Sequence, residues 1–234
     1  TKNHGKLFAV SSCSNLGSMS NSITVSFSNL KGGVGKSSTA VHFVYWLSEI
    51  KKKSAILVDA DGQSSSSNWI ELLELEIPVF KITDPEQLGE KIPELARETE
   101  YLVVDNGGNL GDGTMRTLLS ADITIIPITP SGLDVLSAAS AVRLVNQIQR
   151  ARKGLPKTGI FINRAVKNTK LLKQAKETIS QIEKIKPFKN VIYQRQLLAD
   201  CFLQGSVAWE MTGSGAKEAA KDYEKLFKEI LELA

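Results

Sequence analysis

Three glycines, Gly32, Gly33 and Gly35, lie between Lys31 and Lys36, with Val34 among them and the hydroxyls of Ser37 and Ser38 directly after. Glycine lets successive backbone N–H groups turn toward one point where a Cβ would obstruct an anion. Lys36 and Ser37 would complete a phosphate site, the lysine reaching the outer phosphates and the hydroxyl a metal ion. The stretch departs from the pattern G-x-x-x-x-G-K-[ST], because Leu30 stands at the first glycine. It also carries a second lysine, Lys31. One lysine suffices for a phosphate pair, so Lys31 suggests an additional role, either as a fixed cation at the γ-phosphate or as one reaching a phosphate held by another subunit. A surface lysine on a loop is the plainer alternative.

Polar residues recur after short apolar runs. Asp105 follows Leu102-Val103-Val104, where a carboxylate could hold Mg²⁺ directly or through water, with Ser37 as its hydroxyl partner. A helix cap is the competing use of a strand-end aspartate. Asp59 and Asp61 are two residues apart, so in an extended chain both point to one side. Asp61 is placed nearest an attacking water and Asp59 in support of the magnesium shell, against the simpler reading of a turn. Thr129 and Asn163 close two further runs.

The elements that must position these groups alternate. Strands are expected at 23–27, 55–58, 78–82, 101–104, 123–128, 160–162 and 191–193. Helices are expected at 36–50, around Trp69 to Leu73, from an Asp84 cap to about Arg97, at 133–152 and at 168–186. Short uninterrupted apolar strands alternating with helices predict one α/β domain, a mostly parallel twisted sheet with helices on both faces. In such sheets ligands bind beyond the carboxyl ends of the strands, where the residues above collect.

The chain of 234 residues is 42% hydrophobic and 23% charged, enough for one sizeable core. No apolar run nears the roughly 20 residues that span a bilayer, and a cytoplasmic protein is expected. Cys13 and Cys201 are far apart with no metal-ligand spacing, which disfavours a zinc or iron–sulfur centre within one chain. Residues 1–18 show no periodicity and are read as a leader outside the domain at 19–234. Charge is uneven: Arg150 to Arg195 holds thirteen Lys/Arg against two acids, while the remainder holds 16 basic and 23 acidic residues. Such asymmetry points to a polyanionic partner, with Arg152, Lys153, Lys167, Lys170, Lys173, Lys176, Lys184, Lys186, Lys189 and Arg195 as candidate DNA contacts. A solvated basic face is the alternative.

The loop 31–38, with Asp59-Ala60-Asp61, Asp105 and Ile126-Pro127-Ile128-Thr129-Pro130, resembles the deviant Walker ATPases of the ParA/MinD family from Ser22 onward. Gln194-Arg195-Gln196 is similar to small ParF-type partition proteins and McdA-type carboxysome-positioning ATPases. The resemblance implies a switch: ATP and Mg²⁺ sandwiched in a homodimer, the lysine matching Lys31 reaching the partner's phosphates, non-specific binding to nucleoid DNA, and slow hydrolysis stimulated by a cargo adaptor. It carries roles to Lys31, Lys36, Ser37, Asp61 and Asp105, sets Asn163 near adenine, and pairs Asp134 with Lys31 before dimerisation. Two departures stand out. The family's Asp-Pro-Gln is Asp61-Gly62-Gln63, and its proline-rich turn is Asn106-Gly107-Gly108, so both loops are expected to be more flexible.

Two alternatives stay open. A MinD-type membrane-associated ATPase would use the C-terminal stripe Ala219, Tyr223, Leu226, Phe227, Ile230 and Leu231. Its polar face mixes Glu218, Asp222, Glu224 and Glu229 with lysines, unlike Lys/Arg-rich membrane helices, so it is expected to dock on the domain. A metabolic P-loop ligase would need an acceptor pocket.

Overall fold

The computed structural model describes residues 22–108 and 111–234; the expected leader and Cys13 lie outside the described residues. β1 (Ile23–Phe27) runs through the glycine loop into α1 (Lys36–Tyr45), which continues as a wider turn to Ile50. There follow β2 (Ala55–Ala60), α2 (Ser65–Leu72), β3 (Val79–Lys81), α3 (Pro85–Ala96), β4 (Tyr101–Asn106), α4 (Asp112–Ser120) and β5 (Ile123–Ile128). The chain ends with α5 (Gly132–Ala151), β6 (Lys157–Ile162), α6 (Lys170–Ser180), β7 (Lys186–Pro187), α7 (Gln196–Leu203) and α8 (Ala216–Leu231). The seven strands form one sheet in the order β3-β2-β4-β1-β5-β6-β7. Every pairing is parallel, so the sheet is wholly rather than mostly parallel.

Alternation along the strands explains how the sheet is covered on both faces. Leu57, Val103, Ile125 and Phe161 join one apolar cluster with residues of α1, α2, α7 and α8. Their neighbours Ile56, Val58, Leu102 and Val104 pack with α3, and Ile126, Ile128, Ile160 and Ile162 with α5 and α6. β1 lies between β4 and β5, so successive crossovers leave it in opposite directions and open a crevice at its carboxyl end. The glycine loop fills that point.

Local signals set several boundaries. Asp84 caps α3 by accepting from the Gln87 N–H at 2.9 Å, with Pro85 at the first helical position. Thr169 caps α6 through the Leu172 N–H at 3.3 Å. Two expectations are corrected. α6 ends at Ser180, and Lys184 takes a left-handed turn (φ 64°) into β7, so Lys184 and Lys186 are not on the helix. Residues 191–193 are not a strand: Arg164 turns left-handed (φ 53°) directly after β6, and pairing resumes only as a single bridge between Ala165 and Tyr193. α4 and α7 were not anticipated.

The C-terminal stripe is docked. Ala219, Tyr223, Leu226, Phe227 and Ile230 are buried, and Phe227 meets the rings of Phe43, Trp46, Trp209 and Tyr223. His42 lies at the same junction, stacked on Tyr223 with centroids 4.3 Å apart. One ring nitrogen bonds the Ser38 carbonyl at 2.7 Å and the other accepts the Ala208 N–H at 3.2 Å. That geometry requires the neutral ring, and burial holds its pKa down to about 4.

Truncating Phe227→Ala should cost about 3–5 kcal/mol in urea unfolding, whereas Leu203→Ala, at an 83% exposed position, should stay within about 0.5 kcal/mol. The depressed His42 pKa stabilises the fold fully above about pH 6.5, and that contribution is lost as pH falls toward 4. Its full size is about 3 kcal/mol, so the stability difference between wild type and His42→Gln should shrink over that window.

Candidate functional site

Two backbone anchors hold the glycine loop. Asn29, buried beyond β1, donates from its amide to the Pro127 carbonyl at 2.7 Å and accepts the Lys31 N–H at 3.2 Å. On the far side, Asn163 donates to the Val34 carbonyl at 2.8 Å and accepts the Arg164 N–H at 2.9 Å. Gly33 and Gly35 take left-handed conformations (φ 76° and 95°) that other residues rarely adopt. At Gly35 space is also excluded, because a Cβ there would fall 2.0 Å from the Asn163 amide nitrogen. Asn163 is thus a clamp on the loop; its expected place near adenine is compatible with lining the adjoining cleft.

Below the loop, Asp105 is level with Phe27 of β1 on one side and Asp59 of β2 on the other. The two carboxylates differ. Asp59 accepts the Asp61 N–H at 3.1 Å and the Ser67 N–H at 2.9 Å, one to each oxygen. It builds the turn into α2, the simpler of the two roles weighed for it. Asp105 is fully buried with neither oxygen hydrogen-bonded. Burial pushes its pKa up to about 7, and Asp59 adds to the rise, while the nearby Ser37 and Ser66 hydroxyls and Lys36 oppose it. A buried carboxylate that accepts no backbone N–H, beside the Ser37 hydroxyl, fits a hard cation with oxygen ligands. Lys36 is itself buried and donates to the Lys31 carbonyl at 3.2 Å; burial lowers its pKa, and Asp105 and Asp61 counter that.

Lys31 forms an ion pair with Asp134, and Thr129 donates to the other oxygen of the same carboxylate. Burial works against the Asp134 charge, but the hydrogen bonds from Lys31 and Thr129 outweigh it and lower the pKa. Asp134 is nearly buried at the start of α5, whereas the Lys31 side chain is 44% exposed.

Two clefts meet above this floor. One, of about 420 Å³, is lined by Gly32, Gly33, Gly35, Lys36, Ser37 and Asp61, with Trp69 and Phe202 on its wall. The other, of about 490 Å³, is lined by Thr129, Asn163, Tyr193, Arg195 and Leu198. Ser38 and Arg164 line both. The Gly107-Gly108 turn approaches closely: a Cβ at Gly107 would stand 3.6 Å from the Asp61 carboxylate, and one at Gly108 would stand 3.5 Å from Gly32 N. The walls supplied by α7 and by Tyr193 escaped the sequence reading, because residues distant in the chain meet there only through folding.

The basic stretch does not form one face. Arg195 pairs with Asp222 at 2.7 Å and borders the second cleft. Arg152 donates to the carbonyls of Leu118 and Ala121, tying α5 to the end of α4. The guanidinium groups of both are engaged within the chain. Lys167, Lys170, Lys173 and Lys176 are exposed on and before α6, and Lys153, Lys184, Lys186 and Lys189 are exposed elsewhere. Lys186 reaches Glu232 at 3.3 Å.

Gly35→Ala should displace the Asn163 amide and weaken binding of a fluorescent adenine nucleotide at least about tenfold. Asn163→Ala, which frees the Val34 carbonyl and the Arg164 N–H but places no Cβ against the loop, should cost less in the same titration.

The family described as the CobQ/CobB/MinD/ParA nucleotide binding domain matches residues 25–207. The chain is 28% identical over 207 residues to Maintenance of carboxysome distribution protein A of Gloeobacter kilaueensis, covering 86% of this chain and 91% of that protein. It is 23% identical over 217 residues to the protein of the same name from Halothiobacillus neapolitanus, covering 89% and 96%. Among solved structures, a complex of Cyanothece McdA with ATP superposes with a TM-score of 0.73 at 18% identity, covering 92% of this chain and 98% of that one. The Pyrococcus horikoshii MinD complex with Mg-ADP gives 0.71 at 18%, covering 91% and 97%. With its glycine loop at the carboxyl end of a central parallel strand and a match across most of its length, the chain belongs to the CobQ/CobB/MinD/ParA nucleotide-binding family.

Proposed function

We propose that the protein is an ATP-driven positioning switch that dimerises around ATP and Mg²⁺, binds DNA without sequence preference and is reset by adaptor-stimulated hydrolysis. The observation that carries this is the Lys31–Asp134 pair: a cation from the glycine loop, half exposed at the rim of the phosphate cleft and parked on a carboxylate of α5. Lys31 is half exposed and Thr129 also donates to Asp134, so Lys31 can exchange Asp134 for a phosphate bound by a second copy while the carboxylate keeps a donor. Support also comes from relatives named for carboxysome distribution and from structural neighbours described with ATP or Mg-ADP.

Each residue has a part in this scheme. The loop N–H groups and Lys36 hold the outer phosphates. Ser37 and Asp105 hold Mg²⁺, which neutralises charge developing on the phosphates. Asp61, at the cleft wall, orients the attacking water, and Asp59 fixes the turn that presents it. Lys170, Lys173 and Lys176 contact phosphates of DNA, and dimerisation doubles those contacts. Burial of the α8 stripe weighs against a membrane-associated role for that helix; among the described residues no helix is long and apolar enough to cross a membrane.

Light scattering with ATP should show a dimer for Asp61→Ala and a monomer for Lys31→Gln, although the latter retains monomeric nucleotide binding. Loss of nucleotide binding in Lys31→Gln would return Lys31 to an ordinary loop role, and a dimer in both would remove the exchange. DNA affinity should require ATP and fall with salt at a log–log slope of about −0.9 per phosphate contacted. Charge reversal at Lys170, Lys173 and Lys176 should flatten that slope; equal binding with ADP would refute the switch.

A further inference from the structure

We infer that Arg164 grips the phosphate next to the sugar, and so sets affinity for the nucleotide without distinguishing ATP from ADP. This rests on the nucleotide reading above. Arg164 and Ser38 are the residues shared by the linings of the two clefts. If the triphosphate tail occupies the glycine-loop cleft, the nucleoside occupies the other. The seam between them then holds the link from sugar to tail. Ser38 faces that seam from the first turn of α1 and Arg164 from the end of β6.

The backbone around Arg164 is built to keep it there. Its N–H bonds the Asn163 side-chain oxygen at 2.9 Å, which turns the Asn163 amide onto the Val34 carbonyl. Position 164 is thereby fastened to the glycine loop. Its left-handed φ of 53° is unfavourable for a residue with a Cβ and is a conformation that glycine would adopt freely. The charge is also available. Arg195, which lines the second cleft, is engaged by Asp222. Among the described residues, the exposed Arg164 side chain has no hydrogen bond or ion pair, and a planar guanidinium suits two oxygens of one phosphate.

The test compares binding of adenosine, AMP, ADP and ATP to wild type, Arg164→Gly and Arg164→Lys by calorimetry, with thermal unfolding of the nucleotide-free proteins. Arg164→Gly should fold at least as stably, because glycine relieves the left-handed strain. It should nevertheless lose about tenfold in affinity for AMP, ADP and ATP alike and nothing for adenosine. Arg164→Lys should recover part of the loss. Undiminished affinity for all three phosphorylated ligands overturns the inference while leaving the nucleotide reading intact. So does a loss confined to ATP, which places Arg164 at the γ-phosphate, or an equal loss for adenosine, which places it on the base. Failure of wild type to bind any of the four overturns the nucleotide reading and this inference with it.

Discussion

Asp59 and Asp105 lie side by side on adjacent strands, both without solvent contact, and the phosphate end of the cleft is arranged around keeping them there. A buried carboxylate is costly unless it is hydrogen-bonded or neutralised. Asp59 meets that requirement from within, through two backbone N–H groups that also form the turn to Asp61. Asp105 does not, and burial raises its pKa to about 7. The charge-supporting groups around it are Ser37, Ser66 and Lys36, two of which belong to the glycine loop and the start of α1. Two aspartates at the same level of the sheet are thus served differently: one is held by two backbone N–H groups and the other has only the serine hydroxyls and Lys36 near it.

The loop above them depends on contacts from both sides of the central strand. Asn29 ties it to β5 and Asn163 ties it to the end of β6, with Gly35 leaving room for the second amide. His42 and Tyr223 extend the connection, since His42 bonds the Ser38 carbonyl and stacks on a ring of α8. The C-terminal helix is therefore connected to the first turn of the phosphate helix through buried aromatic packing.

The basic segment shows how composition and surface differ. Thirteen cations between Arg150 and Arg195 suggest one face, yet Arg152 satisfies helix-end carbonyls and Arg195 an acidic side chain of α8. The planar, multi-donor guanidinium can satisfy several acceptors while its stem packs. The exposed lysines keep their charge in water. Counting both residue types together overstates the charge that a polyanion would meet.

Spacing alone determined most of the alternating α/β order, the apolar runs of the strands and the glycine loop between the first strand and helix, because those features follow from local periodicity and from the conformational freedom of glycine. The strand-end aspartates were legible for the same reason, as polar residues closing apolar runs. What spacing could not decide was which aspartate would be satisfied, where α6 would stop, or that Asn163 would hold the loop. Asp59 and Asp105 have similar sequence surroundings, but the turn into α2 brings the N–H groups of Asp61 and Ser67 back onto Asp59, and Asp105 has no such pair. Likewise Arg164 is a lone cation in the sequence, and it acquires a site only because a left-handed turn after β6 brings it to the seam that Ser38 faces from the other side. The Asn163 clamp and the Arg164 seam depend on contacts between residues far apart in the chain, which tertiary packing alone creates.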